Sequence, residues 1–319
     1  MSTSPEFRSA ELKPSTWADV FRGSRFLKLM PKVRVTGGEP FIRKDLPDLV
    51  SSLLCIPHIE EVAVYTNGYL TDRIITGVKR ILAACPSNKR LEIGVSLDHI
   101  GRKHDEIRGV VGVFERVCAT LEGLRKLREQ FSNLRIGSAS VVQPENVFHI
   151  EDIDKLRRAM GVESHYIVVQ NTSFLGNRDE PYGAQSFTEE QKSEICWLAR
   201  ENDEMIGVRK WLEMGARPMR CFAGTSSLFI ASNGDLYPCV AMGYAPRFLM
   251  GNLAAGNFDE IWTSRQAWEV RRRVKQCTFS SCWAGCEITA TRVQHAPLEL
   301  GIKYASLGLL DYYRLRGLR

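Results

Sequence analysis

Thr36-Gly37-Gly38-Glu39-Pro40 closes a short apolar run that begins at Val33, and five of the nine cysteines fall in the last third of the chain. The run suits a strand of a parallel sheet, and two adjacent glycines let backbone approach a bound molecule where a Cβ would clash. Glu39 offers an acceptor for an ammonium group, and Pro40 fixes the exit of the turn. Two later strand ends carry polar groups of the same kind. Thr66-Asn67-Gly68 follows a second apolar run, and Ser96-Leu97-Asp98 a third, with His104-Asp105 and Arg108-Gly109 behind it. Hydroxyl, amide and carboxylate groups are what a ribose and an amino-acid backbone need for hydrogen bonding, and Arg108 suits a carboxylate. Each motif alone is also a common turn or helix approach. Their recurrence at successive strand ends favours a shared ligand.

The cysteines divide by setting. Cys55, Cys85, Cys118 and Cys196 lie in apolar helical contexts and read as core residues. Cys221 and Cys239 flank a hairpin signal in a C-x12-G-x4-C arrangement, and Cys277-x4-Cys282-x3-Cys286 gathers three more thiols beside Trp283 and Gly285. Four thiolates around one centre suit a structural zinc or an iron–sulfur cluster. Cys221, Cys239, Cys282 and Cys286 are the favoured set, with Cys277 the spare.

These groups need elements to position them. From Thr16 to about Asn171 helical and strand patterns alternate in the rhythm of βα units. The first helix is predicted over Thr16–Leu29, with Thr16 and Asp19 as a capping pair. Strands are predicted at Lys32–Thr36, Glu61–Thr66, Leu91–Leu97, Leu134–Val142 and Ser164–Val169. Helices are predicted at Leu46–Leu54, Asp72–Ala84, Phe114–Gln130, Ile150–Met160 and Thr188–Asn202. Ligands of such a sheet gather at the C-terminal ends of its strands. After Pro218 the texture changes. Leu228–Ala231, Asn233-Gly234 and Asp235–Tyr237 read as a hairpin with a type I′ turn. The expected division is a core over 1–204, a small metal-stapled domain over 205–292 and a helical tail over 293–319.

The 319 residues and their 44% apolar content allow a full core. A net charge of +6 is mildly basic and does not indicate a nucleic-acid protein. The Arg271–Arg273 cluster and the closing Arg314 and Arg316 read as solvated helix faces. No segment has the length of a membrane span and the N-terminus lacks a signal-peptide core, so a cytoplasmic protein without membrane partners is expected. There, nine cysteines are better read as core residues or metal ligands than as disulfides.

Together these residues resemble the radical S-adenosylmethionine enzymes with a C-terminal SPASM or twitch auxiliary-cluster domain. The resemblance rests on Val35–Phe41, Thr66–Gly68, Ser96–Asp98 with His104–Gly109, and the Cys221…Gly234…Cys239 hairpin with its later cysteines. It implies an α/β fold, a partial (β/α)6 TIM-like barrel whose first βα unit is missing or incomplete, followed by the cysteine-rich domain. It implies that Gly37, Gly38, Glu39 and Pro40 hold the methionyl amine of S-adenosylmethionine. Asn67, Ser96 and Asp98 lie near the cofactor or substrate by the same match, and Arg108 meets the methionyl carboxylate. Cys221, Cys239, Cys277, Cys282 and Cys286 are the candidates for an auxiliary [4Fe-4S] cluster. The implied chemistry is reductive cleavage of the cofactor to a 5′-deoxyadenosyl radical, which abstracts hydrogen from a peptide or small-molecule substrate. The electron donor would be a flavodoxin or ferredoxin.

The sequence departs from the family in one serious respect. The cluster that cleaves the cofactor is held there by a C-x3-C-x2-C loop upstream of Gly-Gly-Glu-Pro, and here no cysteine precedes Cys55. A truncated sequence is the favoured expectation, ahead of real loss, and this chain is expected not to cleave the cofactor itself. A degenerate, non-catalytic binding protein with a structural iron–sulfur or zinc site is the alternative. His99 is a smaller departure, standing where glycine often follows Ser-Leu-Asp.

Overall fold

The computed structural model describes residues 11–169, 186–199, 208–214 and 221–275. One compact unit is Leu12–Tyr166, and the described residues from Ile167 onward belong to a second. In the first unit, helix α1 (Pro14–Gly23) precedes strand β1 (Lys32–Val35). Then follow α2 (Leu46–Leu54), β2 (Glu61–Thr66), α3 (Thr71–Ala84) and β3 (Arg90–Ser96). The sequence continues with α4 (Arg102–Arg108), α5 (Val113–Gln130), β4 (Leu134–Val142), α6 (Ile150–Met160) and β5 (Glu163–Val168). The five strands form one sheet in the order β1-β2-β3-β4-β5, and the pairs from β1 to β4 are parallel. Strand and helix thus alternate as the sequence indicates, in the open α/β arrangement expected of a partial barrel.

Side chains of a strand alternate between two faces, and here the faces differ in kind. Val62, Val64, Leu91, Ile93, Val95, Leu134 and Ile136 are buried on one face. Helices α3, α5 and α6 bury Ile74, Val78, Ile81, Val117, Leu121, Leu124, Ile150 and Ile153. On the other face the register aligns Arg34, Ala63, Glu92 and Arg135 in one row across four strands.

Local chemistry explains the boundaries. Helix α6 opens on Glu151 and Asp152, closes on Arg157 and Arg158, and stops at Gly161, whose φ is 62°. That is the charge order favoured by the helix dipole and the glycine favoured as a terminator. The first helix differs from expectation at both ends. Lys13, not Thr16, is its N-cap and makes no side-chain cap; Pro14 opens the helix with its fixed φ. The helix does not run to Leu29, because Ser24 Oγ accepts from Phe26 N (3.2 Å) and Leu27 N (3.0 Å) and turns the chain there. Helix α4 has no counterpart among the predicted elements; it is a short helix between Gly101 and Gly109, both with positive φ.

In the second unit, α7 (Glu189–Leu198) begins with a Thr188–Gln191 capping box. Helix α8 (Val208–Met214) follows, then a small sheet of β6 (Phe229–Ile230), β7 (Asp235–Tyr237) and β8 (Gly251–Asn252) in that order. Helices α9 (Phe258–Thr263) and α10 (Arg265–Lys275) complete the described residues. The hairpin is present, but its turn is not type I′. Gly234 donates to Ala231 O (2.9 Å), and Gly234, at φ 89°, is the one residue of the turn with positive φ, whereas type I′ needs two.

The core reading of four cysteines is also corrected. Cys55 is exposed, and Cys85, Cys118 and Cys196 are half-buried. Cys118 follows Val117 and is rotated off the buried stripe of α5, while Cys55 and Cys85 are C-caps, where a helix face no longer covers them. The tail over 293–319, with Arg314 and Arg316, lies outside the described residues.

Candidate functional site

Glu39 is the hub of the first two strand ends. Its Oε1 accepts from Phe41 N (3.0 Å) and Thr66 Oγ1 (2.8 Å), and its Oε2 accepts from Asn67 N (2.8 Å). An ionised carboxylate offers about four lone-pair positions, so these three bonds fix Glu39 and leave a place on Oε2 for a further donor. A Cβ built on Gly37 or Gly38 meets nothing within 4 Å, so both glycines face open space. Pro40 starts the short 3-10 turn that carries Phe41 into the core. Asn67 contributes its backbone amide to Glu39, while its Oδ1 accepts from Tyr69 N (2.9 Å).

Asp98 anchors the third strand end. Its Oδ2 pairs with Arg108 Nη2 at 2.7 Å, and its Oδ1 accepts from Val141 N (2.8 Å). The Asp98 backbone is held as firmly: its amide donates to His104 Nδ1 (3.2 Å), and its carbonyl accepts from Asn146 Nδ2 (2.8 Å). His104 is fully buried, and burial followed by the nearby Arg108 charge lowers its pKa from 6.5 to about 4. It is therefore a neutral imidazole whose Nδ1 accepts. Asp98 acts here as the brace of Arg108, whose buried Nε has no hydrogen-bond partner among the described residues. Ser96 ends β3 opposite Ala139 and is half-buried. His99 packs its ring 4.6 Å from that of His149.

Sequence reasoning missed a group on the polar face of the sheet. Tyr65 Oη donates to Glu92 Oε1 (3.5 Å), and His165 Nε2 lies 3.3 Å from the same oxygen. A Cβ at Gly94 or Gly137 would come within 2.5 Å of the Tyr65 or His165 ring, so the two rings occupy the space those glycines leave. Burial raises the Glu92 pKa, but His165, Arg34 and Arg135 outweigh it and hold the carboxyl below its ordinary range. The signal was charged residues alternating with apolar ones: Lys32 and Arg34 in β1, Arg90 and Glu92 in β3, and Arg135 between Leu134 and Ile136 in β4. Asn146 was missed for want of any motif.

Cys221 is half-buried and Cys239 is buried, and among the described residues neither is in a disulfide. Gly224 N donates to Pro238 O (2.8 Å), which joins the two segments that carry these thiols. Gly224 has φ +73°, and its Cβ would lie 2.9 Å from Pro238 Cβ. Ala223 N donates to Cys221 Sγ (3.4 Å), so the sulfur is held by its own segment. Among the described residues no three His, Cys, Asp or Glu side chains form a metal site; Cys277, Cys282 and Cys286 lie outside those residues. Among the described residues no helix is long and apolar enough to cross a membrane.

Residues 6–157 match the model of the Radical SAM superfamily, and residues 221–287 match SPASM, an iron-sulfur cluster-binding domain. By these two matches the chain is similar, domain for domain, to radical SAM enzymes that carry a SPASM domain, a class of enzymes that uses S-adenosylmethionine and [4Fe-4S] clusters. It is 24% identical to the AdoMet-dependent heme synthase of Methanosarcina barkeri over 82% of this chain and 78% of that protein. It is also 24% identical to the antilisterial bacteriocin subtilosin biosynthesis protein AlbA of Bacillus subtilis, over 79% of this chain and 55% of AlbA. The structure of anSMEcpe with bound AdoMet and Kp18Cys peptide has a similar fold, with a TM-score of 0.56 and 14% identity over 86% of this chain and 80% of that one.

Proposed function

We propose that this chain binds S-adenosylmethionine across the ends of β1, β2 and β3 and serves radical modification of a peptide. The bound cofactor, reduced at an iron–sulfur cluster with electrons from a flavodoxin or ferredoxin, supplies a 5′-deoxyadenosyl radical for hydrogen abstraction. The chain's own residues orient it. Gly37, Gly38, Glu39 and Pro40 receive the methionyl ammonium, with the remaining lone pair of Glu39 Oε2 as acceptor. Asn67 fixes Glu39 through its amide, and Ser96 offers a hydroxyl to the ribose. Arg108, braced by Asp98, supplies the positive charge for the methionyl carboxylate. Cys221 and Cys239, with two of Cys277, Cys282 and Cys286, hold the auxiliary cluster. The joined segments that carry Cys221 and Cys239 fit such a donor set.

The observation that carries this reading is Glu39, fixed by three hydrogen bonds beside two glycines that face open space. A peptide substrate is supported by the exposed apolar side chains that follow successive strands: Ile42, Tyr69, Ile100, Val111 and Phe148. The bacteriocin biosynthesis protein and the peptide-bound neighbour are in keeping with it. A binding-only protein is the second reading, since the given sequence contains no C-x3-C-x2-C triplet.

Equilibrium dialysis with S-adenosylmethionine tests the site. The expected result is measurable binding that weakens about tenfold or more in Glu39→Ala, the effect of losing a hydrogen bond to a charged group. Equal affinity in both proteins removes Glu39 from the site. Formation of 5′-deoxyadenosine under a strong reductant separates an enzyme from a binding-only protein. Iron and labile sulfide in anaerobically purified protein support the cluster, and zinc alone rejects it.

A further inference from the structure

Arg271, on α10, is a buried cation with no acidic partner among the described residues. It is 7% exposed and appears in no ion pair there. Burial alone lowers its pKa to about 10. Its Nε donates to Gly224 O (2.6 Å), its Nη1 donates to Trp262 O (2.8 Å), and its guanidinium lies 4.2 Å from the centre of the Trp262 ring. Its Nη2 is buried with no hydrogen-bond partner among the described residues. Two carbonyl oxygens and an indole face are dipoles and a quadrupole; they do not neutralise a full charge taken out of water.

The position of that charge is specific. Gly224 lies three residues after Cys221, and its amide donates to the carbonyl of Pro238, the residue before Cys239. A Cβ at Gly224 would sit 2.9 Å from Pro238 Cβ and 3.6 Å from Arg271 Cγ, so the guanidinium's stem and the second cysteine segment both close on the face of Gly224. The buried cation is therefore tied to the loop that links the two thiols. Four thiolates around an iron–sulfur core leave a net negative centre, and counter-charge held near such a centre raises its reduction potential.

We propose that Arg271 is the charge-compensating positioning residue of the auxiliary cluster, one that stabilises its thiolate ligands and sets its potential. This rests on the cluster reading above. A purely structural arginine, tying two carbonyl groups, makes different predictions. Full-length wild-type, Arg271→Lys and Arg271→Gln proteins are reconstituted anaerobically. Iron and sulfide per chain, the cluster midpoint potential by EPR-monitored titration, and the melting temperature with and without cluster are then measured. Arg271→Lys, which keeps the charge, is expected to retain the cluster with a potential near that of wild type. Arg271→Gln keeps an amide donor but no charge. It is expected to shift the potential to more negative values, or to lose the cluster, and to lose more stability in the loaded protein than in the apo protein. An unchanged potential in Arg271→Gln at full iron content overturns the proposal. So does an equal loss of stability with and without cluster, or loss of the cluster in both variants. Absence of iron and sulfide from the wild-type protein instead sinks the cluster reading, and the role of Arg271 with it.

Discussion

His104 shows what a single side chain contributes at the rim of the sheet. It touches no ligand group directly, yet its neutral Nδ1 receives the amide of Asp98, and Asp98 braces Arg108. The buried imidazole resists protonation, with a pKa lowered from 6.5 to about 4. Between those values the unfolded chain takes up a proton that the folded one rejects. The contribution of His104 to stability therefore falls as pH drops from about 6.5 to about 4 and is flat below, a loss of roughly 3 kcal/mol in all. Urea unfolding at pH 7 and pH 5 checks this. The wild-type protein is expected to be less stable at pH 5, and His104→Gln, whose amide oxygen still accepts from Asp98 N, is expected to lose less. An identical pH dependence in both proteins removes His104 from the balance. The sequence disclosed that His104, Asp98 and Arg108 belong to one motif. That Asp98 faces Arg108 was not legible, because the partner depends on the short helix α4 and on Asn146, which sits in a loop with no recognisable spacing.

Elements were most legible where hydrophobic period and end signals agree. Strands β2 and β4 and helices α2 and α6 begin and end at the residues expected. Failures cluster where one polar side chain or glycine decides a boundary: Ser24 ends α1, Gly234 sets the hairpin turn, and Gly101 and Gly109 bracket α4. The turn after β2 depends on such a residue. Gly68 has φ +77°, its carbonyl accepts from Thr120 Oγ1 (2.7 Å), and a Cβ there would lie 2.7 Å from Val95 and 2.9 Å from Val117. An alanine must adopt a left-handed backbone and also displace two core side chains. Gly68→Ala is expected to cost about 2–4 kcal/mol from strain and overpacking together. Because the same turn presents Thr66 and Asn67 to Glu39, cofactor affinity is expected to fall with it. Chemical denaturation and equilibrium dialysis read the two effects. A variant as stable as wild type would mean that the β2 turn relaxes without cost and does not fix Glu39.

Across the whole molecule the two units draw their stability from different sources. The unit Leu12–Tyr166 buries apolar side chains on β2, β3 and β4 and on five helices, α1, α2, α3, α5 and α6, enough for a core of its own. The described part around Cys221 and Cys239 has strands of only two or three residues. Its core is a small group that includes Leu236, Met250, Phe258, Trp262 and Val270. Sheets this short rarely hold on apolar burial alone, and a bound metal centre then supplies folding energy directly. Removing the centre by chelation under air, or by Cys239→Ala, is therefore expected to act locally. Hydrogen exchange should lose protection over 221–275 while β2, β3 and β4 keep theirs, and the iron content should fall in step with that loss. Cys118→Ala, at a half-buried position of α5 outside the hairpin, serves as the control and should leave both regions protected. If 221–275 stays protected after the iron is gone, the hairpin folds without its thiolate centre. The cysteines then bind a cluster for chemistry alone.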